Sequence, residues 1–179
     1  MIKANTTLIS GLFVLQNQVF TDARGSFKKL LSEDDFNKLS LESNFAELYY
    51  SINNKDVIRG MHFQIPLMDH VKMVYVSRGK ILDVCLDLRR KSDTFGEYFS
   101  ITLADNEESY LYIPKGIAHG FMSLEDNTIV NYAQTSCYSK EHDCGIKYDS
   151  FGFKWPVDKP IVSKRDIEFP NFQNWNSVF

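Results

Sequence analysis

Four histidines, His62, His70, His119 and His142, are the side chains of this sequence best suited to moving a proton near neutral pH or to holding a metal. His62 stands in VIRGMHFQIP with Gly60 two residues before it and Gln64 two after, so period-2 alternation puts all three on one strand face. His119 lies in IPKGIAHGF, where a Pro-x-Gly turn feeds another strand. Either imidazole taken alone also fits a hydrogen-bonded core residue. His70 and His142 are flanked by Asp69 and by Glu141 and Asp143, which points to solvated surface positions. Lys72 in HVKMVYV is a cation in an otherwise apolar strand pattern, costly to bury unless an anion meets it. Tyr132 in VNYAQ shares a strand face with Val130 and Gln134 and is a ready proton donor at neutral pH, but on residue type Tyr110, Tyr112 and Tyr138 are equal candidates.

The elements that must position these groups are almost all strands. A helical signal is clear only over Ser32 to Glu42, where Ser32 can cap, Asp34 and Asp35 fall in the first turn, and Phe36 and Leu39 share a face. In KILDVCLDL, Leu82, Val84, Leu86 and Leu88 lie on one face and Ile81, Asp83, Cys85 and Asp87 on the other. Short runs of the same kind follow at EYFSITL, SYLYIP, GFMSL and TIVNYAQ, separated by turn clusters. This spacing predicts an all-β sandwich or jelly roll with one short N-terminal helix. Past Lys140, aromatics and prolines alternate with charges without a clear period, which suggests an ordered C-terminal arm covering the barrel.

The 179 residues, 44% hydrophobic and 24% charged, exclude disorder and suit one domain over residues 1–179. Twenty Lys and Arg against 23 Asp and Glu give a charge of −3, spread along the chain, with no basic stripe for nucleic acid. An anionic ligand would have to be held by a few local cations. Three cysteines at spacings that fit no zinc or CxxC pattern suit a reducing compartment, so cytoplasm is expected. The apolar stretch Leu8 to Leu15 behind Lys3 lacks a small-residue cleavage site, so no secretory signal is expected, and no run approaches the roughly 20 apolar residues that span a bilayer.

Pro114 to His119 resembles the second signature of the cupin superfamily, and Gly60 to Gly79 resembles a degraded first one. In a metal-binding cupin the first signature carries His-x-His and then Glu; here the second His is Gln64 and the nearest carboxylate is Asp69. His62, His119 and Asp69 could still form a facial triad for non-haem iron, but an amide in place of an imidazole weakens affinity for first-row metals, and no metal is expected. The segments FTDARGSF, VIRGMHFQ, VKMVYVSRGKILDVCLDLRRKSDTFG, YIPKGIAHGF, TIVNYAQTSCY, FKWP and VSKRD, in this order and covering most of the chain, resemble the dTDP-4-dehydrorhamnose 3,5-epimerase family of metal-free cupins. The resemblance implies a cytoplasmic homodimer of jelly rolls that inverts carbon 3, carbon 5 or both of a nucleotide-linked 4-keto sugar without a cofactor.

A ketone at carbon 4 acidifies the neighbouring C–H bonds, because the carbanion left behind delocalises onto the carbonyl oxygen. Epimerisation then needs a base on one face, a group that stabilises the oxyanion, and an acid on the opposite face. The resemblance assigns His62 as the base, Asp166 in VSKRD as its orienting partner, and Tyr132 as the acid. Lys72 would meet the oxyanion, and His119 would add a second donor near the sugar. Arg24, Arg59 and Arg165 would bind the diphosphate, Arg24 reaching across the dimer, with Phe27 stacking beside the base or the sugar.

Four positions depart from the pattern of family members that act on the rhamnose precursor. Glu47 and Tyr49 replace a Gln-x-Asn pair, Lys29 replaces an acid, and Asp143 replaces a Glu. All four were expected in the pocket rather than in the catalytic group, so the reaction type should survive and the substrate should change. A different 4-keto sugar is expected, including a GDP-linked 4-keto heptose used in capsule synthesis. Besides an epimerase, the sequence admits a metal-dependent cupin isomerase or dioxygenase and a non-catalytic nucleotide-sugar binding module.

Overall fold

A computed structural model describes residues 1–179. The chain runs β1 (Lys3–Thr6), β2 (Phe13–Gln16), β3 (Val19–Asp22), β4 (Gly25–Lys28), α1 (Glu33–Lys38), β5 (Glu47–Asn53), β6 (Val57–Gln64), β7 (Lys72–Arg78), β8 (Lys80–Asp87), β9 (Tyr98–Ala104), β10 (Ser109–Ile113), β11 (Ile117–Ser123), β12 (Thr128–Gln134), β13 (Asp143–Gly145), β14 (Ile161–Val162) and α2 (Lys164–Ile167). One sheet has the order β1-β2-β10-β7-β12-β5; the other is β13-β6-β11-β8-β9, with β14 pairing β6. The crossed order of both sheets is the jelly-roll arrangement the strand spacing predicted. Strands β3 and β4 form a separate hairpin.

The two sheets meet over Val74, Val76, Ile81, Cys85, Phe121 and Val130, which come from both. Strand β8 is buried on both faces. Its Ile81 and Cys85 face this inter-sheet core, whereas Val84, Leu86 and Leu88 lie under Ile146, Phe151, Trp155 and Phe179 of the C-terminal arm. The arm therefore covers the outer face of one sheet, and the apolar stripe of KILDVCLDL is the face it covers. Fully buried side chains such as Val84, Leu86, Leu88 and Ile146 each contribute about 1.5–3 kcal/mol by leaving water. The N-terminal apolar stretch also belongs to the fold, with Ile9, Leu12 and Leu15 fully buried. No helix is long and apolar enough to cross a membrane.

Helix α1 is shorter than the predicted Ser32 to Glu42. Ser40 adopts φ +56°, and Leu41 and Ser40 donate their N–H groups back to the carbonyls of Phe36 and Asn37. This Schellman stop is closed by burial of Phe36 and Leu41 together. A second helix, α2, was not predicted. Ser163 caps it by accepting the Asp166 N–H at 3.1 Å, a Ser-x-x-Asp signal inside what the sequence presents as an irregular arm.

Strands β6 and β11 approach unusually closely where the site is built. A side chain at Gly60, which has φ +140°, would sit 2.5 Å from the Gly120 Cα. The register between the two strands shifts between His119 and Phe121, and His119 is left directly opposite His62.

Candidate active site

A cavity of about 410 Å³ opens between the sheets, within the size range of small-molecule pockets. One wall is β6 and β11, which supply His62 and His119; the facing wall is β5, β7 and β12, which supply Tyr49, Lys72 and Tyr132. The imidazole and the phenol singled out from the sequence thus line one space from opposite sheets.

His62 is half-buried. Its Nε2 donates to Asp166 Oδ1 at 3.0 Å, and the edge of its ring meets Phe169. A carboxylate only accepts, so Nε2 carries the proton and the Nδ1 lone pair is left free to accept one. Asp166 is 3% exposed and also accepts the Gly60 N–H at 3.1 Å. Burial pushes its carboxyl up, but the bonds from His62, Gly60 and Ser163 outweigh this and leave it below its ordinary value.

His119 forms a second pair that the sequence did not reveal. It is 4% exposed, and its Nε2 donates to Asp83 Oδ2 at 2.8 Å, with Asp83 only 1% exposed. The signal was present in KILDVCLDL: an acid on the face shared with Ile81 and Cys85 must find a donor if that face is buried. Burial lowers the His119 pKa, with the Asp83 charge and hydrogen bond opposing it. With its one proton held by Asp83, the remaining Nδ1 is an acceptor. That tautomer offers the cavity an acceptor where a donor was expected.

Lys72 is 7% exposed and makes no ion pair within 4 Å. Burial pulls its ammonium down to about 8, against the pull of Cys85, Asp83 and Asp143. Tyr132 is 6% exposed, and burial drives its phenol well above 10 while Ser51 and Arg59 act in the opposite sense. Its ring stacks on Tyr49 at 4.7 Å between centroids, 16° from parallel. The Tyr49 hydroxyl donates to Gln134 Oε1 at 2.8 Å. Glu47 accepts the Tyr138 N–H at 2.8 Å, so its carboxylate fastens the wall as well as lining it.

Arg59 and Arg165 line the same cavity. Arg59 Nε donates to Asn53 Oδ1 at 2.7 Å; Arg165 pairs with Asp143 at 2.7 Å and lies over the Phe169 ring. Arg24 and Phe27 are not brought to this cavity. Both are exposed on the β3–β4 hairpin, where Arg24 pairs with Asp22. Lys29, expected in the pocket, is exposed and does not line it either.

One expectation about the histidines is overturned, and the alternative metal triad does not form. His70 is not a solvated surface group: it is 8% exposed, lines the cavity, and is pushed down to about 3 by burial and by the nearby Lys72. Its Nδ1 lies 3.3 Å from Ser136 Oγ and 3.4 Å from Gln64 Nε2. His142 is half-buried, with Nδ1 at 2.8 Å from Ser139 Oγ. Asp69 pairs with Lys115 at 3.8 Å and does not line the cavity, so the triad His62, His119 and Asp69 does not assemble. Both Nε2 atoms are held by other aspartates, and no three His, Cys, Asp or Glu side chains are disposed to hold a metal ion.

The chain and its fold have counterparts among known proteins. A model of the dTDP-4-dehydrorhamnose 3,5-epimerase family matches residues 6–174. The dTDP-4-dehydrorhamnose 3,5-epimerase of Methanothermobacter thermautotrophicus is 39% identical over 177 residues, covering 96% of this chain and 92% of that one. The crystal structure of the Bacillus anthracis dTDP-4-dehydrorhamnose 3,5-epimerase with TDP and PPi bound superposes with a TM-score of 0.92 at 32% identity, covering 96% of this chain and 99% of that one. That of dTDP-6-deoxy-D-glucose-3,5-epimerase from Legionella pneumophila in complex with dTDP-4-keto-L-rhamnose gives 0.92 at 27%, covering 98% and 95%. The chain is an isomerase that belongs to the dTDP-4-dehydrorhamnose 3,5-epimerase family.

Proposed function

We propose that this protein inverts one or both carbons flanking the C4 ketone of a dTDP-linked 4-keto-6-deoxy sugar, using its own side chains and no cofactor. The observation that carries the proposal is the opposed pair: the His62–Asp166 dyad on one wall and Tyr132 on the other, with Lys72 in the same cavity. His62 Nδ1 takes a proton from the carbon next to the ketone, and Asp166 stabilises the imidazolium that results. The enolate oxygen meets the Lys72 ammonium, for which burial is costly until an anion arrives. Tyr132 returns a proton on the opposite face. His119 Nδ1 accepts from a hydroxyl of the sugar and holds the ring flat against β11. Arg59 and Arg165 grip the diphosphate.

The working form in this proposal is a homodimer of single-domain chains in the cytoplasm, supplying a deoxysugar for surface polysaccharide. Strand β5 is a sheet edge whose Glu47, Tyr49 and Ser51 line the cavity, while Leu48, Tyr50 and Ile52, on its other face, are 71%, 64% and 57% exposed. An apolar edge of this kind favours a second copy. The same pairing would let Arg24 and Phe27 of one copy reach the site of the other. All three cysteines are free, which suits a reducing compartment.

Incubation with dTDP-4-keto-6-deoxyglucose in deuterium oxide, read by NMR, tests the reading. Deuterium at carbon 3 or 5 with inverted product supports it. Turnover of a GDP-linked 4-keto heptose alone would move the substrate assignment, and no deuterium from any 4-keto nucleotide sugar would end the epimerase reading.

A further inference from the structure

An unbroken hydrogen-bond chain joins the Tyr132 hydroxyl to Arg59. Arg59 Nε donates to Asn53 Oδ1 at 2.7 Å, Asn53 Nδ2 donates to Ser51 Oγ at 3.0 Å, and Ser51 Oγ lies 3.1 Å from the Tyr132 oxygen. The orientation of the Asn53 amide is settled by its surroundings. The side chain is 1% exposed, and its nitrogen also faces the carbonyls of Thr128 at 3.1 Å and Ser51 at 3.2 Å. A flipped amide would set its oxygen against two carbonyl oxygens and its nitrogen against a guanidinium.

Proton counting then gives the chain a direction. The Asn53 nitrogen can only donate, so Ser51 Oγ accepts from it. Among protein atoms, the acceptor within reach of the Ser51 proton is the Tyr132 oxygen. With Ser51 donating, the Tyr132 proton is left free, and the space before it is the cavity. The opposite polarity would turn the Tyr132 proton toward Ser51 and away from the cavity, and would leave the Ser51 proton without an acceptor on the protein.

We propose that Ser51 and Asn53 are positioning residues for the proton-donating half of the reaction: they aim the Tyr132 O–H into the cavity and stabilise the phenolate it becomes. The inference rests on the epimerase reading above. In the step itself, the Tyr132 proton forms a C–H bond with the flanking carbon of the enolate. The electron pair comes from the enolate double bond, and the C4 ketone re-forms. The phenolate oxygen keeps the O–H electron pair and accepts the Ser51 hydroxyl, which is polarised through Asn53 by the Arg59 cation. Water reprotonates the phenolate after product leaves, and the imidazolium of His62 returns its proton to solvent. A phenol buried without such donors would be a poor acid, and the Ser51 bond and the Arg59 charge both act to lower its pKa.

Ser51→Ala, Ser51→Thr and Asn53→Ala, each assayed with dTDP-4-keto-6-deoxyglucose in deuterium oxide, separate this role from a merely structural one. Exchange reports removal of the proton by His62; inversion additionally requires donation from Tyr132. Ser51→Ala is expected to lower inversion by about tenfold or more while exchange stays within about twofold. Ser51→Thr, which keeps the hydroxyl, should restore the ratio of inversion to exchange, and Asn53→Ala should lower it by a smaller factor. Equal loss of exchange and inversion in Ser51→Ala, or an unchanged ratio in both alanine variants, would overturn the proposal. A wild-type protein that neither exchanges nor inverts any 4-keto nucleotide sugar would instead remove the functional reading beneath it.

Discussion

The two histidine–aspartate pairs are alike in length, 3.0 Å for His62–Asp166 and 2.8 Å for His119–Asp83, and differ in almost everything else. His62 has 31% of its side chain exposed and draws its aspartate from a capped helical turn near the C-terminus. His119 is enclosed, and its aspartate comes from β8, the neighbouring strand, in the same sheet. Burial disfavours the charged form of an imidazole, and it acts on His119, lowering its pKa against the pull of Asp83. In the proposed reaction the same pair of residue types serves as a proton carrier in one place and as an acceptor for the substrate in the other.

Removing each member should break this comparison unequally. His62→Asn is expected to lower both exchange and inversion by about 10²–10⁴-fold, the usual worth of a general base, whereas His119→Asn should act mainly on KM. Steady-state kinetics with deuterium wash-in checks both. Asp166→Asn should cost activity on the order of 10²-fold or more through the tautomer. Asp83→Ala should cost mainly stability, about 1–3 kcal/mol in denaturant unfolding, because the buried His119 N–H is left without a partner.

Lys72 gives the wall opposite His62 its own pH signature. Its ammonium is charged below about 8, so the rate should fall as pH rises through that value, and Lys72→Arg should carry the fall to higher pH. A kcat/KM profile that stays flat past pH 9 in the wild type would show that this charge is not used. His70 supplies a subtler probe. Its pKa is about 3 in the folded chain against 6.5 when unfolded, so below pH 6.5 only the unfolded chain takes up its proton. Its contribution to stability is complete above pH 6.5 and is lost as pH falls toward 3, by up to about 1.4 kcal/mol per unit. His70→Gln should flatten that part of a plot of Tm against pH. Tyr49→Phe is the mildest change. It removes only the bond to Gln134, about 1 kcal/mol, and leaves the stack on Tyr132 in place.

Much of the fold was legible because alternation is local. The strands around Tyr98–Ala104, Ser109–Ile113 and Thr128–Gln134 fall within a residue or two of their apolar runs. The partition of β8 into two faces was also local, but which face meets the opposite sheet depends on where the arm lies, and that is tertiary. Helix α2 was missed because four residues carry no periodicity, although the Ser163 cap was in the sequence. His70 was misjudged because Asp69 beside it suggested water; in a strand-entry loop, neighbours point opposite ways, and Asp69 went to Lys115 while His70 went inward. Asp83 was placed on a strand face but given no partner, for want of any sign in the sequence that the strand of His119 would pair with its own. His62, Lys72 and Tyr132 line one cavity, Lys72 and Tyr132 on the wall opposite His62, and Asp166 bonds to His62. Arg24 and Phe27 stay outside the cavity because a single chain does not bring the hairpin to it.

The measurement that bears most directly on an acid and a base facing each other across the cavity is Tyr132→Phe with dTDP-4-keto-6-deoxyglucose in deuterium oxide. If His62 and Tyr132 serve opposite faces, deuterium will enter next to the ketone with configuration retained while inversion falls by orders of magnitude. Inversion at the wild-type rate, or loss of exchange and inversion in step, would contradict that division of labour.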